Sequence, residues 1–202
     1  MSYNVWSRED VMVYKRMQAI ASLVEQHKPD VIFFSGGSWV FNGFQEITPH
    51  IRSIFEGSSW WKDYHCSPVS PEEQATGQPF CLLLSKYRLE HFARWKFANS
   101  PTGRGYLEAV INPDPAVMLP AIRVATTQLE PPTPPAPMRC VERYVQAEHA
   151  VAALSSAANV VFGGDMSWAD NTDRPFPLLL GWFDAWTNRN PNDCSTWTYD
   201  GI

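Results

Sequence analysis

Two rhythms of apolar and polar residues run along this chain, and the switches between them mark its elements. Tyr3-Asn4-Val5-Trp6 is a short strand-like stretch. Ser7 follows as a helix N-cap, with Asp10 three residues on in a capping-box-like position. Val11, Met17, Ile20, Ala21 and Val24 then recur at helical spacing up to Lys28-Pro29, where proline stops the helix. Val31-Ile32-Phe33-Phe34 is a continuous apolar run and predicts a buried strand. Thr48-Pro49 opens a second helix, with Ile51, Ile54 and Phe55 as its apolar face.

Phe80 to Leu84 predicts another strand, and the segments 91–99, 105–112 and 121–127 read as further strands. The proline-rich stretch 131–137 fits neither a helix nor a central strand and reads as an extended loop within the domain. Met138 to Ala157 is helical, with Val141, Tyr144, Val145, Ala152 or Ala153, and Leu154 as its expected buried face. Val160 to Phe162 predicts a last buried strand. Strands and helices mixed in this way predict an α/β layered domain over residues 1–202.

Three strand exits carry polar residues. Val160-Val161-Phe162 runs into Gly163-Gly164-Asp165, where glycine permits a sharp turn and a close approach. Asn4 sits where the first strand leaves its sheet, and Gln45-Glu46 follows an apolar run and precedes the second helix. An amide and two carboxylates converging at one sheet edge suit a hard divalent cation and a phosphate. Each signal alone is weak; Asn4 by itself reads as a turn-capping amide, and Glu46 as a carboxylate near a helix N-terminus.

Composition narrows the class. The chain has 202 residues, 45% of them hydrophobic and 13% aromatic, which is globular rather than disordered. A net charge of −5 argues against a nucleic-acid coat protein but leaves room for an enzyme that grips phosphates locally. Cys66, Cys81, Cys140 and Cys194 have no zinc-like spacing and read as reduced thiols of an intracellular protein. No apolar run is long enough to span a bilayer, so no membrane partner is expected. Nine tryptophans supply core, or stacking platforms for bases or a tyrosyl ring.

The Asn, Gln-Glu and Gly-Asp motifs, in this order, resemble the endonuclease/exonuclease/phosphatase superfamily, and within it the plant-type branch of tyrosyl-DNA phosphodiesterase 2. Arg8-Glu9-Asp10, Trp60-Trp61-Lys62, Leu82 to Lys86, Asp184-Ala185-Trp186 and Trp197 to Asp200 also read like that branch. The resemblance implies two sheets packed face to face, helices outside, and an active site at one end of the sandwich. It further implies hydrolysis of a phosphodiester at a tyrosyl-adducted DNA 5′ end, with Mg2+ or Mn2+ as cofactor and a nuclear setting. Glu46 would hold the metal, Asp165 would orient or deprotonate the attacking water, and Asn4 would bind the phosphate or a metal-bound water. Trp197 would contact substrate.

Four departures from the family pattern stand out. Ser167 occupies the place of an asparagine two residues after the aspartate. Thr127-Gln128-Leu129-Glu130 stands in place of Ser-His-Leu-Glu, so a phosphate-contacting histidine becomes Gln128. Residues 35–43 read as an insertion that forms an exposed loop. The family's final Ser-Asp-His is missing from residues 1–202, so the sandwich is expected to be incomplete at its C-terminus. These departures carry a second expectation: an impaired or inactive relative, at most a binding module.

Overall fold

The computed structural model describes residues 1–6, 8–36, 38–40, 43–45, 47–69, 81–114, 120–133, 138–169 and 172–189. Ten strands and four α-helices fall within them. The strands are β1 (Ser2–Asn4), β2 (Val31–Ser35), β3 (Ser38–Val40), β4 (Gly43–Gln45), β5 (His65–Cys66), β6 (Cys81–Ser85), β7 (Glu90–Lys96), β8 (Gly105–Ile111), β9 (Ile122–Gln128) and β10 (Val160–Asp165). The helices are α1 (Val13–His27), α2 (Pro49–Glu56), α3 (Cys140–Leu154) and the short α4 (Ala185–Arg189).

Two four-stranded sheets form, ordered β1-β2-β6-β5 and β10-β9-β8-β7. β1 runs parallel to β2, and β10 parallel to β9; the other pairs in these sheets are antiparallel. Side-chain alternation shows how they stack. Ile32 and Phe34 of β2 pack with Leu82 and Leu84 of β6 against Met17, Ile20 and Val24 of α1 and Ile51 and Phe55 of α2. Phe33 and Leu83, one residue out of phase, pack instead against Ala109, Ile111 and Val124 of the second sheet. On the far side, Tyr106 and Ala125 pack against Ala147, Ala150 and Leu154 of α3. The layers are therefore helices, sheet, sheet, helix. Burial on both faces explains why β2 reads as a continuous apolar run.

Helix boundaries follow local chemistry. α2 opens as expected, with Thr48 Oγ1 accepting the Ile51 N–H at 3.2 Å and Pro49 in the first turn. α1 ends as expected, with Lys28 left-handed and its N–H on the Val24 carbonyl at 2.8 Å. Its start differs: the helix begins at Val13, six residues after Ser7, and Ser7 itself lies outside the described residues. Asp10 pairs with Arg8 instead of capping, and Thr48 Oγ1 donates to Glu9. A local ion pair and one contact from the N-cap of α2 thus accompany a turn here in place of helix.

Three further expectations change. α3 buries Arg143, Gln146, Ala147, Ala150, Val151 and Leu154, while Val141 and Val145 are exposed. Polar partners beneath the helix, described below, turn that face inward. β10 is half-buried rather than buried, with Val161 exposed, because among the described residues it pairs with β9 alone. The stretch 35–43 was expected as a loop, but Ser35 ends β2 in the buried layer and Ser38–Val40 pairs antiparallel with Gly43–Gln45, Trp39 opposite Phe44, while residues 37, 41 and 42 lie outside the described residues.

Candidate active site

β1 and β10 lie side by side where the two sheets meet, and each ends in the same kind of turn. Asn4 Oδ1 accepts the Trp6 backbone N–H at 2.9 Å. Asp165 Oδ1 accepts the Ser167 backbone N–H at 2.8 Å and its hydroxyl at 3.2 Å. These are Asx turns, and the residue two places on is left-handed in both, with φ 48° at Trp6 and 49° at Ser167. Each turn fixes one oxygen of its side chain and leaves the other terminal atom free to point across the gap. Asn4 Nδ2 donates to Asp165 Oδ2 at 2.6 Å.

Gln128 stands opposite Asp165 in the β9–β10 register and is 1% exposed. Its Nε2 donates to Asp165 Oδ2 at 3.4 Å, and its Oε1 accepts from Arg104 Nη1 at 2.7 Å. Arginine carries donors only, so the atom facing Arg104 must be the amide oxygen and the amide nitrogen must face Asp165. The carboxylate thus meets four neutral donor contacts, two on each oxygen. Asn4 is exposed and Asp165 partly so, which leaves this end of the sandwich open to solvent.

Glycine is required just before the carboxylate. Gly164 has φ +141°, and a Cβ there would sit 2.0 Å from the Thr127 carbonyl oxygen. A Cβ on Gly163 would stand 3.0 Å from the Phe33 ring. Strand and neighbour can approach only because side chains are absent.

A buried polar layer supports the site. Arg104 Nε also donates to Thr102 Oγ1 at 3.2 Å, and Glu130 Oε1 accepts from Thr102 at 2.9 Å and from Ser100. The Glu130 N–H donates to Gln146 Oε1 at 3.1 Å, and its carbonyl accepts from Arg143 Nη1 at 2.9 Å. Arg143 grips Asp173 through Nη2 at 2.8 Å and Nε at 3.3 Å, both side chains 1% exposed. Asp173 also accepts the Ala169 N–H at 2.8 Å, which ties the segment after Ser167 to α3. Near Trp6, burial lowers the Arg16 guanidinium below its ordinary value, with Asp10 opposing the shift.

Of the six candidate site residues, the structure brings Asn4, Gln128, Asp165 and Ser167 together. Glu46 and Trp197 lie outside the described residues. Sequence reading missed Arg104, Arg143 and Asp173. Their partners are 24 and 30 residues away, and no local spacing signals such pairs.

A helix-flanked sandwich of two mixed sheets, with a carboxylate and two carboxamides meeting at one end, defines the class. The chain belongs to the Endonuclease/Exonuclease/phosphatase family, whose pattern matches residues 1–200. No curated protein matches it significantly. Among solved structures it is similar to TDP2 from C. elegans, with TM-score 0.73, 17% identity, and coverage of 95% of this chain and 54% of that one. It is also similar to D. rerio TDP2 complexed with a single-strand DNA product, with TM-score 0.64, 16% identity, and coverage of 84% and 60%. Sphingomyelinase C from Streptomyces griseocarneus follows at TM-score 0.62 and 14% identity, covering 85% and 64%. The chain spans about half the length of the C. elegans TDP2 it resembles. At these identities the likeness is one of fold.

Proposed function

We propose that this chain is a phosphodiesterase that acts at DNA 5′ ends, with a phosphotyrosyl-linked end as its substrate. The observation that carries the reading is the Asp165 carboxylate held between the Asn4 and Gln128 amide N–H groups at the solvent-open end of the sandwich. Two N–H donors beside a carboxylate suit a phosphate whose attacking water needs a base. The similarity of fold to a TDP2 holding a DNA product supports the DNA end as substrate.

The residues take distinct roles. Asp165 orients and deprotonates water. Each carboxylate oxygen has about two acceptor positions, and all four are engaged, so one contact must yield. The 3.4 Å contact from Gln128 is the weakest. It releases, and the Gln128 N–H turns to the phosphate beside that of Asn4. Ser167 holds the other carboxylate oxygen in place.

Among the described residues no group of three or more His, Cys, Asp or Glu gathers to hold a metal. The donors at this end are nevertheless hard oxygens of a carboxylate and a carboxamide, which fit Mg2+ or Mn2+ held mainly by water and phosphate. Glu46 would be the direct carboxylate ligand, with Asp165 and Asn4 reaching the ion's water. Such an ion would polarise a phosphate oxygen and offset developing charge. Trp197 would contact the substrate. No described helix is long and apolar enough to cross a membrane, and a nuclear setting accords with the DNA reading.

A second reading is favoured by the same saturated carboxylate: a DNA-end-binding relative with no turnover. A Mg2+-dependent assay on 5′-phosphotyrosyl oligonucleotides separates the two. Compared are the native chain, Asp165→Asn, and Ser167→Asn combined with Gln128→His. The enzyme reading expects slow metal-dependent turnover, lost in Asp165→Asn and raised about 10²-fold by the double variant. Binding of the end with no turnover in any of the three establishes the second reading. Absence of both binding and turnover refutes both.

A further inference from the structure

We propose that a cavity at the end of the sandwich opposite Asp165 binds a small zwitterion, an α-amino acid with an apolar or aromatic side chain. Asn4 is in register with Ser35 at one end of β2, and Val31 is in register with Ser85 at the other. The cavity lies beyond the Val31 end, where Lys28 and Lys86 border it. The length of β2, on the order of 13 Å, therefore separates it from the candidate active site. Its volume is about 360 Å³, within the range of small-molecule sites.

The wall leaves one donor and charges of both signs unsatisfied. Trp60 borders the cavity and is 4% exposed, and its buried Nε1–H has no acceptor among the described residues. The rings of Phe34, Phe55 and Tyr64 pack round the indole at centroid distances of 6.4, 5.8 and 6.0 Å, so its N–H is fixed in place. A fixed, buried donor of this kind marks a place for an acceptor. Lys28 and Lys62 bring ammonium groups to the cavity, and Asp63 a carboxylate, none with a hydrogen-bond or ion-pair partner among the described residues. The remaining charges are already engaged. Lys86 Nζ donates to Asp30 at 3.1 Å and to the Lys28 carbonyl at 2.5 Å, and Glu25 accepts from the Ser59 hydroxyl at 2.7 Å.

Lys28, Lys62 and Lys86 are thus matched by Glu25, Asp30 and Asp63, and the site is neutral as a whole. A plain anion would gain the lysines but meet the carboxylates. A zwitterion uses both: its carboxylate meets Lys28, Lys62 and the indole N–H, and its ammonium meets Asp63. Val24 and the Tyr64 ring supply apolar wall for its side chain.

The test is a titration of the native chain followed by NMR of its tryptophan indole N–H groups, the Trp60 signal being the one absent in Trp60→Phe. The probes are L-phenylalanine, its N-acetyl derivative, which lacks the ammonium, its methyl ester, which lacks the carboxylate, and inorganic phosphate. Saturable movement of the Trp60 signal is expected with phenylalanine. Both blocked forms should bind about 10- to 150-fold more weakly, the effect of losing a hydrogen bond to a charged group. Lys62→Met and Asp63→Asn, changes at exposed positions, should weaken phenylalanine binding by a similar factor. If N-acetylphenylalanine or phosphate binds as tightly as phenylalanine, and Asp63→Asn costs nothing, the site takes a plain anion and the zwitterion reading is overturned. No saturable shift with any probe overturns the site itself. The phosphodiesterase reading stands on the other end of the sandwich and survives either failure.

Discussion

Gln128 is pinned from two sides, so substitutions there separate stability from chemistry. Its oxygen is the acceptor for Arg104, a residue with no exposed surface, and its nitrogen faces Asp165. Gln128→Leu removes the amide acceptor and donor at nearly constant volume and leaves Arg104 without that acceptor. The lost bond to a charged group is worth about 1.5–3 kcal/mol. For a chain of this size that lowers the melting temperature by about 3–12 °C. Gln128→Glu keeps an acceptor for Arg104 but loses the donor. Its carboxylate makes a charge-assisted bond to Arg104, about twice as strong as a neutral one, opposed by repulsion from Asp165 across the 3.4 Å gap. Stability should stay within about 1 kcal/mol of the native chain, since the two effects offset. Both variants lose the donor, and turnover should fall by about 10²–10³-fold in each. Gln128→His keeps both functions only as the neutral ring, Nδ1 accepting from Arg104 and Nε2–H donating. Thermal melts by circular dichroism and single-turnover rates on 5′-phosphotyrosyl DNA read the two axes. A Gln128→Leu variant within about 0.5 kcal/mol of native, the range of a neutral surface change, would show that Arg104 does not depend on this amide. Native turnover in that variant would show that the amide N–H plays no part in the reaction.

Asp173→Ala strands the buried Arg143 charge and should cost about 3–5 kcal/mol, read as a shift in urea midpoint at unchanged slope; a loss under about 1 kcal/mol would mean that the pair is solvated in solution. Gly164→Ala combines a disallowed backbone with a clash on the Thr127 carbonyl, so it should cost about 3 kcal/mol or more, and equal expression and melting of variant and native chain would contradict the geometry. Burial pushes the Cys66 thiol up to about 11 from 9.0. The folded state therefore keeps a proton that the unfolded chain releases, and stability is full below pH 9 and falls between pH 9 and 11. Tyr64 and Tyr106, also raised by burial, add to the fall at the upper end. Cys66→Ala should flatten the thiol's share of that slope, and superimposable pH–stability curves would count against it.

The sequence reading reached the layers because each depends on residues that are near neighbours along the chain. Ile32-Phe33-Phe34 buries both faces wherever it lies in a sandwich, and its strand was legible from three letters. α2 was legible because Thr48 and Pro49 cap it from within. Asn42-Gly43 reads as a turn-forming pair at the edge of the expected loop, yet Gly43 lies within β4 opposite Val40, so the local signal misplaces the strand start. The α1 start differs because Ser7 and Asp10 form a local capping pattern that competes with another local pairing, Asp10 with Arg8, and with the bond from Thr48 to Glu9.

The site divides along the same line. Asn4 and Asp165 stand out because both end strands and both make turns within two residues. What holds them in a working arrangement does not, because it runs through pairs far apart in sequence. Periodicity assigned Val141 and Val145 to the buried face of α3, and burial went to Arg143 and Gln146 instead. A polar residue can occupy a core position only where its partners already wait, here the Glu130 carbonyl, the Glu130 N–H and Asp173. Glu130 follows Gln128 by two residues, so the layer that turns α3 inward also fixes the end of β9. Arg104, in turn, dictates which face Gln128 shows to Asp165. The orientation of the site is therefore set from beneath, by charges buried where an apolar pattern alone would place valine.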